Sequence, residues 1–461
     1  MALPIIAIVG RPNVGKSTLF NRLIGKRYAI TSPVPGTTRD RIYHEAEIGT
    51  YNVILVDTGG MEFDKKQDIE ADVQLQAKLG VEEADIIYFV VDTTQPLTAS
   101  DLDAAQFLRR SKKQIILIAH KADNEHSKTT TEELYALGFG EAVSVSSIHN
   151  MGLEELDLAT EKVLKKLKWK KEKPHKKDGI VRIAIVGRPN VGKSSFVNAL
   201  LGENRLIVSD KPGTTIDATD TPFKCKVAPA SGSANCLASP RLGLAEDNFI
   251  LIDTAGLRRR GKVGQGIEKY GVLRALQAVS RADVACLMLD ATDKIANQDL
   301  HVSEYILEAG KGLIVIVNKT DLMEDKQKDQ EKLLGIMQYR MGYMPWAPVV
   351  FVSAKDRKNI FKVLESAKNI AAERNKKISD EEFAVFVKTI VVTHPPSHGS
   401  HKIVFYKGKQ TGFCPPTFTF EVNKPDFVHF SYRRFLENEI RRKFGFYGTA
   451  IRLQFVIKFW D

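Results

Sequence analysis

The chain has 461 residues, enough for two to four domains, and its 43% hydrophobic and 27% charged content is that of a soluble globular protein. No apolar run is long enough to span a bilayer and no secretory signal opens the chain, which argues against an integral membrane segment and predicts a cytoplasmic protein. The net charge of +11 suits a polyanionic partner, or else only keeps the surface soluble. Cys225, Cys236, Cys286 and Cys414 have no metal-ligand spacing and predict free thiols in a reducing compartment.

In chain order, Leu3 to Val9 reads as an apolar strand and Thr18 to Leu23 has helical spacing. Between them stands Gly10-Arg11-Pro12-Asn13-Val14-Gly15-Lys16-Ser17. Strand, Gly-rich loop and helix in that order are the context of a phosphate-binding P-loop. Backbone N–H groups of such a loop wrap β- and γ-phosphates, and Gly10 and Gly15 permit the close approach. Lys16 adds a point charge, the helix adds its positive end, and the Ser17 hydroxyl is a ligand for Mg²⁺. Gly36-Thr37-Thr38 follows in a loop. The buried-strand pattern Val53 to Val56 ends in Asp57-Thr58-Gly59-Gly60. An Asp there either holds Mg²⁺ through water or merely turns the chain, and the glycine lets a backbone N–H reach the γ-phosphate. Strands are predicted at Ile86 to Val91 and Gln114 to Ala119, the second leading into His120-Lys121-Ala122-Asp123. Ser146-Ser147 follows a strand at Ala142 to Val145. A helix begins at Leu153 and runs into a lysine-rich segment ending at Asp178, a solvated tether or a contact for a polyanion.

The pattern then repeats. Gly187-Arg188-Pro189-Asn190-Val191-Gly192-Lys193-Ser194 is the same eight residues, again between a strand (Ile183 to Val186) and a helix (Ser195 to Leu201). One match is compatible with chance; two in the same context predict two nucleotide sites. Gly213-Thr214-Thr215 lies at the same distance from its P-loop as Gly36-Thr37-Thr38. Asp253-Thr254-Ala255-Gly256 comes later than its counterpart because of extra residues within Lys224 to Asn248, an expanded hairpin loop rich in Ala, Ser, Gly and Pro. Asn318-Lys319-Thr320-Asp321 follows the strand Leu313 to Val317, and Ser353-Ala354 follows Val349 to Val352. The tail has no P-loop. It reads helix (Asp380 to Val392), strand (Ile403 to Tyr406), strand (Thr417 to Val422), helix (Ser431 to Phe444) and strand (Ile451 to Ile457). Its aromatics Phe405, Tyr406, Phe413, Phe418, Phe420, Phe427 and Phe430 are expected in the core. Arg433, Arg434, Arg441, Arg442 and Lys443 are expected to form a contact surface for RNA or for the P-loop domains.

These motifs resemble those of GTPases. The resemblance assigns Thr38 and Thr215 to Mg²⁺ and the γ-phosphate. Asp123 and Asp321 are to accept two N–H groups of guanine, Lys121 and Lys319 to pack over the base, and Ser146-Ser147 and Ser353-Ala354 to back it. His120 departs from the usual Asn, so weaker or altered nucleotide binding is expected at the first site. Met61 and Leu257 stand where Ras-like proteins orient water with a glutamine. Asn13 and Asn190 then either help bind a potassium ion or brace their loops. Arg258, Arg259, Arg260 and Lys262 contact RNA or close on a neighbouring domain.

The tandem P-loops and a KH-like tail, which lacks the RNA-clamping Gly-x-x-Gly loop, together resemble the Der (EngA) family, the double-domain members of the TrmE-Era-EngA-YihA-septin-like GTPases. The resemblance implies an α/β fold: two tandem P-loop G domains, each a mostly parallel sheet with helices on both faces, at 1–164 and 179–374. A basic linker at 165–178 and an α+β KH-like domain at 375–461 complete the chain. It further implies hydrolysis of GTP to GDP and phosphate with Mg²⁺, the catalytic residues being Lys16, Thr38, Lys193 and Thr215. The rate is expected to be slow and K⁺-stimulated. The implied partners are the large (50S) ribosomal subunit and rRNA, not DNA, bound in a GTP-dependent way by a chain that is monomeric when free. The tandem switches predict that the G domains move against the tail as nucleotide changes. The alternative is an RNA-binding scaffold with slow incidental hydrolysis. Ile216, where the first domain has Arg39, is a further departure.

Overall fold

In this computed structural model the described residues are 3–28, 43–58, 81, 84–122, 133–169, 179–202, 206–208, 220–225, 247–254, 271–398 and 401–457. The chain divides into two compact units, with the described residues up to 169 in the first and those from 179 in the second.

In the first unit β1 (Ile5–Val9), β2 (Tyr43–Ile48), β3 (Tyr51–Asp57), β4 (Ile86–Asp92), β5 (Gln114–His120) and β6 (Val143–Val145) form one sheet, ordered β2-β3-β1-β4-β5-β6. β2 pairs antiparallel with β3, and the other ladders are parallel. Parallel strands need crossovers that cover both faces, and the unbroken apolar runs of β1 and β4 supply two dry faces. Ile6, Ile8, Tyr88 and Val90 share one core with residues of α1 (Lys16–Tyr28) and, after α2 (Ala99–Arg110), of α3 (Leu153–Lys166). The intervening Ile87, Phe89 and Val91 are equally buried on the opposite face. α2 starts at a capping box in which Thr98 and Asp101 satisfy each other's backbone N–H. Trp169, three residues past the end of α3, still packs against this core, with its N–H on the Leu164 carbonyl.

The second unit replays this order with one strand added. β7 (Ile180–Val186), β8 (Leu206–Val208), β9 (Thr221–Cys225), β10 (Asp247–Ile252), β11 (Val284–Asp290), β12 (Gly312–Asn318) and β13 (Val349–Phe351) stand as β13-β12-β11-β7-β10-β9-β8. α4 (Lys193–Leu201), α5 (Gly271–Arg281), α6 (Asn297–Glu308), α7 (Lys326–Arg340) and α8 (Ile360–Arg374) follow in chain order. Phe196 of α4 and Ile360, Val363 and Leu364 of α8 close one core with alternate strand residues. α5 packs on β7 and α6 on β11 and β12. β9 and β10 are antiparallel with Cys225 opposite Asp247. Residues 226–246, most of the predicted hairpin insertion, join these two strands and lie outside the described residues, Cys236 among them. The described cysteines are free thiols, Cys225 and Cys286 buried and Cys414 exposed. Among the described residues no helix is long and apolar enough to cross a membrane.

The tail consists of α9 (Asp380–Thr393), the short hairpin β14 (Ser397–His398) and β15 (His401–Lys402), β16 (Phe405–Gly412), β17 (Thr417–Val422), α10 (Phe430–Phe444) and β18 (Arg452–Ile457). Its sheet is β16-β17-β18, antiparallel then parallel. β16 is longer than its apolar residues predict, because Gly408 lets α9 lie against it. A Cβ there would come within 2.9 Å of Val387. The aromatics do not all join the core as expected. Phe418 and Phe420 point inward from β17 and are fully buried, whereas Tyr406, Phe413, Phe427 and Phe430 are exposed. Those four sit on the outer side of β16, in turns and at a helix start, where a side chain faces away from the sheet–helix core.

Two of the five basic residues expected to form a contact surface reach the second G domain. The Arg441 guanidinium lies 4.7 Å from the Trp346 ring centre, and Arg434 donates to the Gly342 carbonyl at 3.3 Å. Arg433 instead lies 4.6 Å from Phe455 within the tail. The junction is also tied through the backbone. Leu313 N–H donates to the Gly448 carbonyl at 2.8 Å, and Gly448 N–H to the Trp346 carbonyl at 3.1 Å. Buried Arg374 donates to Thr449 Oγ1 of the tail at 3.3 Å, and Arg452 of the tail to the Glu308 carbonyl at 2.9 Å. On the G-domain strands these contacts fall at, or just before, the N-terminal ends of β12 and β13.

Two glycines give opposite expectations. Gly448 has φ +72, and a Cβ on it would sit 2.3 Å from Ile370. Gly448→Ala should therefore cost about 1–2 kcal/mol from the backbone alone, with packing loss added. Gly335 is exposed in α7, and a methyl added to it would meet nothing within 4 Å. Gly335→Ala should gain roughly 0.5–1 kcal/mol. Thermal melting of the two variants should move in opposite directions.

Candidate functional site

Both P-loops end the central strand of their sheet, where the strand order reverses and a crevice opens beyond the carboxyl ends. In the first, Lys16 curls back so that Nζ donates to the carbonyls of Gly10 at 2.9 Å and Arg11 at 2.8 Å. An ammonium has three hydrogens, so one remains for a phosphate oxygen. Burial lowers the Lys16 pKa, and Asp57 nearby works in the opposite direction. Lys193 repeats the arrangement on the carbonyls of Gly187, at 2.7 Å, and Arg188. Asn13 and Asn190 both have φ 63, in the left-handed region, and their side chains are exposed. The Ser17 hydroxyl donates to Asp57 Oδ2 at 2.6 Å. A hydroxyl and a carboxylate at one point are hard oxygen donors of the kind Mg²⁺ takes. In the second site Asp253, with φ 55, has its N–H held by Asp220 Oδ1 at 3.0 Å.

Several residues read as ligands face the fold instead. Val14 and Val191 are buried and present only their backbone to the loop. Thr58 donates to the Ile8 carbonyl at 2.8 Å, and Thr254 bonds to Thr221 at 2.7 Å. The P-loop arginines anchor the loop sideways. Arg11 pairs with Asp101 at 3.3 Å and donates to Gln95 at 3.0 Å. Arg188 pairs with Asp299 at 2.8 Å and Asp293 at 3.0 Å. Pro12 and Pro189 occupy the outer turn of each loop.

At the other end of the crevice, His120 and Asn318 terminate β5 and β12 and reach back to the P-loops. His120 Nδ1 lies 2.9 Å from the Val14 carbonyl. Asn318 Nδ2 donates to the Val191 carbonyl at 2.9 Å. Gly15 and Gly192 allow this approach, since a Cβ would come within 2.5 Å of the imidazole or 2.2 Å of the carboxamide. Ala354 N–H donates to Asn318 Oδ1 at 3.0 Å, and Ser353 donates to Asp321 Oδ1 at 2.7 Å. That hydrogen bond from Ser353 holds the Asp321 carboxyl below its ordinary pKa. Thr320 is tied to the Val352 carbonyl at 3.0 Å, Ala122 N–H to that of Val145 at 3.4 Å, and Ser146 accepts from His149 N–H at 3.2 Å. Thr38, Gly59, Gly60, Met61, Asp123, Thr215, Ala255, Gly256 and Leu257 lie outside the described residues, as do Arg258, Arg259, Arg260 and Lys262.

Sequence reading missed Asp92 and Asp290. Each ends its strand and pairs with the lysine of the base loop, Asp92 with Lys121 and Asp290 with Lys319, both at 2.6 Å. Burial pushes both carboxyls up, and hydrogen bonds from the lysine and from Thr94 or Thr292 outweigh it and hold them below the ordinary range. The signal that was available is the recurrence of an Asp, two residues before a Thr, at the end of β4 and of β11.

A phosphate-wrapping loop and a base loop braced together, built twice on two copies of one sheet, define a tandem P-loop protein of the GTPase class. A family model described as 50S ribosome-binding GTPase matches residues 5–121 and 182–319, and one described as the C-terminal KH-domain-like region of EngA bacterial GTPase enzymes matches 377–455. GTPase Der of Alkaliphilus metalliredigens is 42% identical over 453 residues, covering 98% of each chain. GTPase Der of Symbiobacterium thermophilum is 43% identical over 454 residues, covering 98% of this chain and 92% of its own. The chain belongs to the GTPase Der (EngA) family.

Removing either carboxylate that holds a base-loop lysine should loosen guanine nucleotide at that site alone. Asp92→Ala and Asp290→Ala are expected to speed nucleotide release several-fold with little change in melting temperature, read by displacement of a fluorescent GDP. The ion pairs rest on depressed carboxyl pKa values. Their contribution is complete above the ordinary carboxylate range and is lost only as pH falls through the depressed value, so release should not depend on it between roughly pH 6 and 8.

Proposed function

We propose that the chain binds GTP at both P-loops, hydrolyses it slowly, and uses the bound state to dock on the large ribosomal subunit. The observation that carries this reading is the paired geometry: in each copy a buried lysine is curled onto two P-loop carbonyls while the base loop is braced to the same P-loop. A scaffold with incidental hydrolysis has no need of two such sites.

Ser17 with Asp57, and Ser194 with Asp253, would hold Mg²⁺, joined by Thr38 and Thr215 in the GTP state, and the ion would supply positive charge against the phosphates. Lys16 and Lys193 orient the same oxygens. Asp123 and Asp321 select guanine through two N–H groups, and the Ser353 hydroxyl, donating to Asp321 Oδ1, orients the second carboxylate for that task. Lys121 and Lys319 cover the base. The side chains of Asn13 and Asn190 make no hydrogen bond among the described residues. Each side chain is exposed on its P-loop, and an amide oxygen is a ligand of the kind K⁺ takes. No glutamine is available at Met61 or Leu257 to orient water, and a K⁺ held by Asn13 or Asn190 would supply charge that another residue supplies elsewhere. Four exposed tail aromatics and the basic charge fit an rRNA-facing surface, and the family model's description as ribosome-binding agrees with it. The protein acts in the cytoplasm, as a monomer when free.

Sedimentation with purified ribosomal subunits tests this. Co-sedimentation with the large subunit in a non-hydrolysable GTP analogue, and not in GDP, is expected; binding indifferent to nucleotide would replace the reading by the RNA-binding scaffold. Replacing K⁺ by Na⁺ should slow GTP hydrolysis several-fold, and equal rates would remove the potassium role.

A further inference from the structure

The two base loops reach the same end by different chemistry. In the second site Asn318 uses both ends of its carboxamide: Nδ2 donates to the Val191 carbonyl at 2.9 Å and Oδ1 accepts from Ala354 N–H at 3.0 Å. In the first, His120 lies 2.9 Å from the Val14 carbonyl through Nδ1 and 2.7 Å from Ser147 Oγ through Nε2. A carbonyl only accepts, so Nδ1 carries the ring hydrogen. In the neutral form of the ring Nε2 then has a lone pair and takes a donor. His120 and Ser147 are 3% and 5% exposed, so bulk water does not serve as that donor. The imidazole places its second nitrogen at the ε position, one atom further from the backbone than the Asn oxygen. There it meets a side-chain hydroxyl and not a backbone N–H. The alanine that stands at the equivalent place in the second site has no hydroxyl to give.

We propose that His120 and Ser147 are a matched pair, and that Ser147 is a positioning residue required only because a histidine replaces the asparagine. Its hydroxyl fixes the ring in the Nδ1–H form that holds the P-loop at Val14. One consequence separates the sites. The neutral ring spends its single hydrogen on Val14, whereas Asn318 keeps a second Nδ2 hydrogen for a purine. The first site is braced as firmly as the second and has one donor fewer for the base. This rests on the reading that the first P-loop holds guanine nucleotide.

The test is a double-mutant cycle in the full chain, in an Asp321→Asn background so that guanine nucleotide reports the first site. Release of a fluorescent GDP is followed for Ser147→Ala, His120→Asn and the double variant, with melting temperatures recorded for each. Ser147→Ala alone should speed release by about tenfold or more, the effect of stripping a buried group of its partner. In the His120→Asn chain the same change should alter release by less than about twofold. The reverse transplant, in an Asp123→Asn chain, should weaken GDP retention with Asn318→His and recover it when Ala354→Ser is added. An equal effect of Ser147→Ala in both backgrounds, or none with His120 present, overturns the pairing. Absence of any bound GDP in the parent Asp321→Asn chain overturns the nucleotide reading of the first site and the pairing with it.

Discussion

The interaction on which both sites depend is the hydrogen bond from the end of one strand to a P-loop carbonyl, at Val14 and at Val191. A P-loop must hold its backbone N–H groups pointed inward at a place where no ligand is needed to fold it. It takes left-handed backbone at Asn13, Gly15, Asn190 and Gly192 to do so. Left alone, such a loop has no reason to stay open. The brace from β5 or β12 fixes its inner side, and the Arg11–Asp101 or Arg188–Asp299 pair fixes its outer side. The glycine next to the bracing carbonyl is then obligatory, because the bracing side chain occupies the volume of its Cβ.

Repetition within one chain shows which parts of this frame tolerate replacement. The lysine on two loop carbonyls, the strand-end Asp under the base-loop lysine, and the arginine on a buried helix-start Asp recur unchanged. The brace does not. Where the chemistry asks only for a donor toward the P-loop and a partner beyond, histidine with serine substitutes for asparagine with alanine. The frame therefore constrains the direction of each hydrogen bond more tightly than the identity of the residue making it.

Much of this was legible in the sequence, for a physical reason. A P-loop needs specific residues at fixed spacing, and apolar runs that must be dry on both faces have few alternatives, so the parallel strands and their loops stand out. The polar edge strands β2 and β16 carried no such signal, since half-exposed strands admit almost any residue on the wet side. Asp92 and Asp290 were invisible for a different reason: an aspartate ending a strand looks like any turn residue until the lysine it holds is located. The partnership of His120 with Ser147 was equally hidden. In the sequence each is a separate feature of its own motif, and only the distance between them makes one arrangement of the two. In the tail, aromatic density misled, because composition cannot tell Phe418, on the inner side of β17, from Phe413 in a turn.

The second unit sets a limit on how nucleotide state can be transmitted to the tail. Its P-loop lies at the carboxyl end of its strand, while the tail is fastened at the opposite ends of β12 and β13. The fastening includes backbone hydrogen bonds through Leu313, Gly448 and Trp346, the buried Arg374, and the stack of Arg441 on Trp346. The expected movement of the second G domain against the tail would have to break several of these at once, each costing on the order of 1 kcal/mol or more when its buried partner is left unpaired. Nucleotide exchange at a P-loop rearranges the loops beside the phosphates and leaves a packed parallel sheet in place. The second G domain and the tail are thus better understood as one rigid piece that nucleotide carries as a whole, with the change of surface confined to the P-loop end. A GTP-dependent contact made by this unit would then involve that end directly, and the tail would contribute a fixed surface whose orientation relative to the second site does not change.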